Sequence, residues 1–135
     1  MRTVLDSLKE HPLLKDHYLA GGTNLALRHG HRTSIDLDFF KHQDFDNNYS
    51  LALNQSLKNK YGSSFESMAV TEVGVFGFID GVKVDFVNYP YPLLNPVENI
   101  NKVNMASEID ISAMKIQAII NRGSRKDFYD IHTLL

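Results

Sequence analysis

Two apolar runs separated by Asp80-Gly81 set the tightest limit on what this chain can fold into. Val73 to Ile79 and Val82 to Val87 are rich in β-branched and aromatic residues. Asp-Gly between such runs is a strong signal for a tight β-hairpin. The second run contains an acid, Asp85, set among Val84, Phe86 and Val87. Along a strand, successive side chains point to opposite faces. Asp85 therefore lies opposite Val82 and Val84 and shares its face with Lys83 and Val87.

A third strand is legible from Ser34 to Phe40. Asp36 and Asp38 fall on one face, and Ile35, Leu37 and Phe39 on the other. Residues at i and i+2 on a strand have Cα atoms about 6–7 Å apart, so both carboxylates can converge on one cation. Without a cation, two like charges this close raise the pKa of one of them. Oxygen ligands suit Mg²⁺, which keeps several waters and takes substrate phosphates as further ligands. Two such ions can orient the attacking and leaving oxygens of a phosphoryl displacement. If the strand bearing Asp85 lies alongside, Asp85 completes a triad as metal ligand or general base. On residue pattern alone, a solvated strand face accounts equally well for Asp36 and Asp38.

Tyr18-Leu19-Ala20 reads as a short strand that runs into Gly21-Gly22-Thr23. Glycines permit positive φ and close approach of backbone to a ligand. The start of the following helix offers free N–H groups and a positive dipole end, which suit phosphate. Thr23 can cap that helix or bond a phosphate oxygen. Taken alone, a plain tight turn with a cap is the simpler account. No Gly-Lys-Ser/Thr follows, so this is not a Walker A loop.

Elsewhere the pattern predicts a short helix from Val4 to about Glu10 and a helix from Thr23 through Leu25 and Leu27, closed by Gly30. Another helix is predicted from Asn47 to Tyr61 on Leu51, Leu53 and Leu57, with Gly62 as its stop. Phe65 to Ala69 reads as a strand, and Pro90, Pro92 and Pro96 mark a loop. Ser107 to Asn121 reads as a helix on Ile111, Met114, Ile116, Ala118 and Ile119, closed by Gly123. Ser124 opens a last helix carrying Phe128, Ile131, Leu134 and Leu135. The order predicts one α+β domain over residues 1–135, built on a small mixed sheet flanked by helices.

The chain has 135 residues, of which 43% are hydrophobic and 22% charged, as expected of one globular domain with a real core. It contains no cysteine, which excludes disulfides, thiolate zinc sites and cysteine nucleophiles. Its net charge of -2 is not the global basic footprint of a general nucleic-acid binder. No apolar run approaches the roughly 20 residues that span a bilayer, and no signal peptide is visible. These features lead us to expect a cytoplasmic protein with no membrane partner. The last residues, from Asp130 to Leu135, still read as the middle of an amphipathic helix, so we expect the natural protein to continue.

Several motifs combine into a resemblance. Gly21-Gly22-Thr23-x-Leu25-Ala26-Leu27 and Gly30-His31-Arg32-x-Ser34-x-Asp36-Leu37-Asp38-Phe39-Phe40 are similar to the AbiEii/AbiGii toxin family. Ser112-x-Met114-Lys115 and Arg125-Lys126-Asp127-x-x-Asp130-Ile131 look like that family's later motifs. Together they cover about Leu19 to Ile131. The family lies within the polymerase-beta-like nucleotidyltransferase superfamily. The resemblance implies that superfamily's core fold, with Asp36 and Asp38 as metal ligands and Lys115 and Asp127 as catalytic or nucleotide-contacting residues. It also implies an NTP substrate with Mg²⁺ (or Mn²⁺), and a toxin restrained by an antitoxin, the latter expected to carry a winged-helix domain. Family members usually carry a helical C-terminal part beyond the last motif.

Other charges read less sharply. Lys115 on an apolar helix suits a triphosphate, although spacing alone would favour a snorkelling side chain. Asp127 also fits a helix cap after Ser124. Arg28, His29, His31 and Arg32 form a small basic run, of which Arg32 is the candidate phosphate contact. His29-x-His31 lacks a second pair for zinc. Ser34 shares the face of Asp36 and is a second phosphate candidate.

The expected enzyme is a metal-dependent nucleotidyltransferase acting on an RNA, tRNA included, or on a protein. Asp36, Asp38, Asp85, Lys115 and Asp127 form its expected catalytic set, and Asp36, Asp38 and Asp85 its metal set. Gly21, Gly22, Thr23, Arg32, Ser34 and Lys115 are expected to hold the nucleotide. The alternatives are a nucleotide-binding module without catalysis, a kinase-like phosphotransferase and a metal-dependent phosphohydrolase.

Overall fold

The computed structural model of the chain describes residues 2–24, 36–100 and 102–122. A first helix, α1 (Arg2–Lys9), and a 3-10 turn at Pro12–Asp16 lead into β1 (Tyr18–Ala20). Residues 21–24 then form a helical turn. Next come β2 (Asp36–Lys41), α2 (Asn47–Tyr61), β3 (Phe65–Thr71), β4 (Gly74–Ile79) and β5 (Val82–Asn88). Two short strands, β6 (Glu98–Ile100) and β7 (Val103–Met105), precede α3 (Glu108–Arg122). The expected helix beyond Asn24 and the last helix after Ser124 lie outside the described residues.

The predicted hairpin forms between β4 and β5. Ile79 pairs with Val82, and Asp80 and Gly81 take φ of 50° and 78°. Positive φ at both central residues is what a type I′ turn requires. β5 then runs parallel to β2, β2 antiparallel to β1, and β1 parallel to β7. The result is a seven-stranded sheet in the order β3-β4-β5-β2-β1-β7-β6. The sheet is mixed, as expected, and has seven strands. β6 and β7 lie in and beyond the stretch read as a proline loop. At three residues each, they are too short to show a period.

The main core lies on one face of the sheet. Leu37 and Phe39 of β2, Val84 and Phe86 of β5, and Val75 and Ile79 of β4 point that way and are buried. Val4, Leu5 and Leu8 of α1 and Leu53 and Leu57 of α2 cover them. Burying each such side chain fully contributes about 1.5–3 kcal/mol relative to exposure. Leu51, predicted to join this core, is 53% exposed. A helix turns about 100° per residue, so Leu51 lies nearly opposite Leu53. Ile116 in α3 is likewise exposed, rotated away from buried Ile111.

α2 opens at Asn47 as predicted, with Asp46 as its N-cap. The Asp46 carboxylate accepts a 2.8 Å hydrogen bond from the Tyr49 N–H. Gly62 ends the helix as predicted, with its N–H bonded to the Lys58 carbonyl. On the other face of the sheet, Tyr18, Ala20, Ala106 and Ile111 form a smaller core, against which Phe40 and Met114 pack. That contact seats α3 on the face that carries Asp36 and Asp38.

Candidate active site

The register between β2 and β5 assembles the acids. Asp36 is paired with Lys83, and Asp38 with Asp85. Directly opposed residues of paired strands point to the same side of the sheet. The neighbouring strand that Asp85 needed is therefore in place. Lys83, noted in the sequence only as sharing the face of Asp85, donates from Nζ to Asp85 Oδ2 at 2.6 Å. Asp85 is buried, and its other oxygen, Oδ1, has no hydrogen-bond partner.

The cluster perturbs its own members. Burial, foremost, and then the charges of Asp85 and Asp36 push the Asp38 carboxyl above its ordinary pKa, while Lys83 and Lys115 oppose the shift. The Lys83 ammonium is held protonated mainly by its bond to Asp85 and by the nearby Asp38 and Asp36 charges. Lys115 of α3 is only 8% exposed. Burial of an ammonium is tolerated where anions face it. Lys115 acts on Asp38 electrostatically, so α3 brings it into the same cluster.

The glycine turn is fitted to Asp38. Gly21 has φ of 67°, and a Cβ there would come within 2.5 Å of Asp38 Oδ2. Backbone thus lies against the carboxylate where no side chain has room. Thr23 is buried, and its hydroxyl donates to the Asp36 carbonyl, tying the turn to β2. It sits inside the helical turn instead of capping it.

Two positioning residues were not foreseen. Buried Asn24 donates from its amide to the Leu19 carbonyl at 2.8 Å and to the Ala106 carbonyl at 3.1 Å. Those bonds join the end of β1 to the segment after β7. Nothing in the local pattern marks this role. Asp110 accepts from the Ser107 hydroxyl at 2.7 Å and from the Leu94 and Asn95 N–H groups at 2.7 and 3.1 Å. The Ser107 hydroxyl in turn accepts from the Asp110 N–H at 3.1 Å. Ser107-x-x-Asp110 resembles a capping box, a signal that could have found it. Arg32, Ser34 and Asp127 lie outside the described residues.

The donor chemistry suits a hard divalent cation. All three acids offer oxygen alone, and a buried carboxylate oxygen is left unpaired at Asp85. As the side chains stand, no group of three acids or histidines among the described residues is arranged to cage a metal. The Lys83 ammonium occupies one side of Asp85 instead. Incoming phosphates and water would have to supply the rest of an ion's shell.

Solved structures share this architecture. An antigenic nucleotidyltransferase-like protein from Paracoccidioides brasiliensis superposes with a TM-score of 0.67 at 23% identity, over 98% of this chain and 74% of that one. The Megavirus polyadenylate synthase gives 0.69 at 17% identity, over 99% of this chain and 30% of its own. JHP933 from Helicobacter pylori gives 0.64 at 22% identity, over 99% and 62%. The fold is thus that of the nucleotidyltransferases. The profile described as "Nucleotidyl transferase AbiEii toxin, Type IV TA system" matches residues 3–135, and the chain belongs to that family. An uncharacterized protein of Aquifex aeolicus is 37% identical over 138 residues, covering 99% of this chain. This chain spans 65% of that relative's length.

Proposed function

We propose that this chain forms the catalytic core of a metal-dependent nucleotidyltransferase toxin. The observation that carries the reading is Asp38 set directly opposite buried Asp85, whose Oδ1 lacks a partner. Asp36 and Asp38, joined by Asp85, would hold Mg²⁺ or Mn²⁺. When bound, the ion supplies positive charge to the phosphates and to the leaving pyrophosphate.

The chain's own groups do the remainder. Backbone N–H groups of Gly21 and Gly22 and the ammonium of Lys115 bind the triphosphate of an NTP. Arg32, from the basic run, Ser34, on the face of Asp36, and Asp127, by motif resemblance, belong to the proposed nucleotide-facing set. Thr23 serves by holding the turn to β2, since its hydroxyl is bonded there. An acceptor hydroxyl attacks the α-phosphorus, and its proton passes to Asp85 as general base. One P–O bond forms to the acceptor, the α–β bridging bond breaks, and pyrophosphate leaves.

The acceptor class we favour is RNA, tRNA included, with a protein hydroxyl as the alternative outcome. The family description names a type IV toxin–antitoxin system, which supports a cognate antitoxin; we propose one with a winged-helix domain. No described helix is long and apolar enough to cross a membrane, in keeping with a proposed cytoplasmic site of action.

The test is incubation of the full-length protein with each α-labelled NTP, Mg²⁺ and total RNA. Label on RNA with release of pyrophosphate, lost in Asp38→Asn, is the expected result. Inorganic phosphate without labelled acceptor would indicate a hydrolase. Transfer from γ-labelled NTP alone would indicate a kinase-like enzyme. NTP binding with no turnover would sink the enzymatic reading.

A further inference from the structure

Lys83 bonds directly to the acid cluster. Its Nζ lies 2.6 Å from Asp85 Oδ2, and the pairing of β2 with β5 places Lys83 opposite Asp36 and Asp85 opposite Asp38. The two partners differ sharply in exposure. The Lys83 side chain is 46% exposed and that of Asp85 10%. The carboxylate is anchored in the sheet, whereas the ammonium sits at the end of a flexible four-carbon stem with solvent on one side. The pair is also incomplete, since Asp85 Oδ1 remains buried and unpartnered.

We propose that Lys83 is an internal counter-cation that occupies the Asp85 side of the cluster in the cation-free protein and must withdraw before Asp85 can join Asp36 and Asp38 around a divalent ion. This inference rests on the metal-dependent reading given above. Three carboxylates on one partly buried face repel one another and lose hydration. The ammonium relieves that repulsion with one charge and one hydrogen bond, and it satisfies only one Asp85 oxygen. A divalent ion brings twice the charge, and the second oxygen is available to it. The two cations therefore compete for one carboxylate. The protein keeps its site folded without metal, at the expense of binding the metal less tightly.

The competition is measurable without turnover. Mn²⁺ binding to the full-length protein is followed by calorimetry, together with Tm in the presence and absence of Mn²⁺, for wild type, Lys83→Met, Lys83→Arg and Asp38→Asn. Lys83→Met leaves Asp85 unpaired, so its cation-free Tm falls. Its Mn²⁺ affinity rises by about tenfold as the competing charge is removed. Its Tm gain on adding Mn²⁺ exceeds that of wild type, as linkage requires. Lys83→Arg keeps the charge and binds no more tightly than wild type. Should Lys83→Met fail to fold, Lys83→Gln, which can still bond Asp85, supports the same comparison. Wild-type affinity or weaker binding in the neutral variant, with binding lost in Asp38→Asn, overturns the counter-cation and leaves the metal site standing. Absence of any Asp38-dependent Mn²⁺ binding overturns both.

Discussion

Gly21 and Asp38 constrain each other, because the backbone of one fills the space beside the carboxylate of the other. A methyl group at Gly21 meets two penalties, a left-handed φ and a contact of 2.5 Å with Asp38 Oδ2. Gly81 meets only the first, since a Cβ there encounters nothing within 4 Å. Gly81→Ala should therefore destabilise by about 1–2 kcal/mol. Gly21→Ala should destabilise by more, roughly 2–3 kcal/mol, and should also reduce nucleotide transfer. Denaturant titration of both variants, beside a pyrophosphate-release assay, checks the contrast.

Asp38 itself lowers the stability of the cation-free protein. Its folded pKa is raised above 3.8, chiefly by burial and then by Asp85. Between the two values the folded state binds more protons than the unfolded chain, so stability falls as pH rises through that window. Asp38→Asn removes the effect. Without divalent cations the variant should be more stable than wild type at neutral pH, and the difference should shrink as pH falls toward 3.8 and below. A Tm-against-pH series decides this. An unchanged profile would mean that Asp38 is not strained by its neighbours.

The placement of α3 depends on contacts made before the helix begins. The Ser107 hydroxyl caps the helix, while the Asp110 carboxylate holds that hydroxyl and fastens the backbone of Leu94 and Asn95. Lys115 follows on the same helix. Asp110→Ala should destabilise by about 1–3 kcal/mol, combining the lost bond to the capping Ser107 hydroxyl with lost bonds to the loop. Turnover should fall further than stability, because Lys115 shifts with the helix. An activity loss no larger than the unfolded fraction would refute that coupling. The same helix carries exposed Ile109 and Ile116. Those positions were readable as apolar, yet their rotation about the helix axis was decided by the contact of Ile111 with Tyr18, Ala20 and Ala106.

Across the molecule, the sheet separates stability from chemistry. The large core fills one face and the carboxylates occupy the other. Leu57→Ala, in the core beneath α2, should destabilise by about 2–5 kcal/mol. Divalent-cation affinity of the folded fraction should stay near wild type, as measured by Mn²⁺ titration well below Tm. A comparable loss of affinity would show that the two faces are coupled.

Much of this arrangement was legible in local pattern. Alternation alone put Asp36 with Asp38 and Asp85 with Lys83, because a strand's side-chain period is a property of its backbone. The Asp80-Gly81 turn and the Gly62 helix stop followed from φ preferences. The remote partnerships were not legible. No residue pattern states that β2 lies parallel to β5 with Asp38 facing Asp85, since parallel strands are joined by long connections that carry no register signal. No local pattern marks Asn24, and only the approach of Ala106 to Leu19 shows what its amide joins. Sequence by itself determined which side chains share a face and where the chain turns, for those are local consequences of backbone geometry. Tertiary structure alone decided that Lys83 rests on Asp85, that one Asp85 oxygen stays unpaired and that Lys115 is buried near Asp38. Distances between charges from remote segments depend on how the whole sheet is assembled.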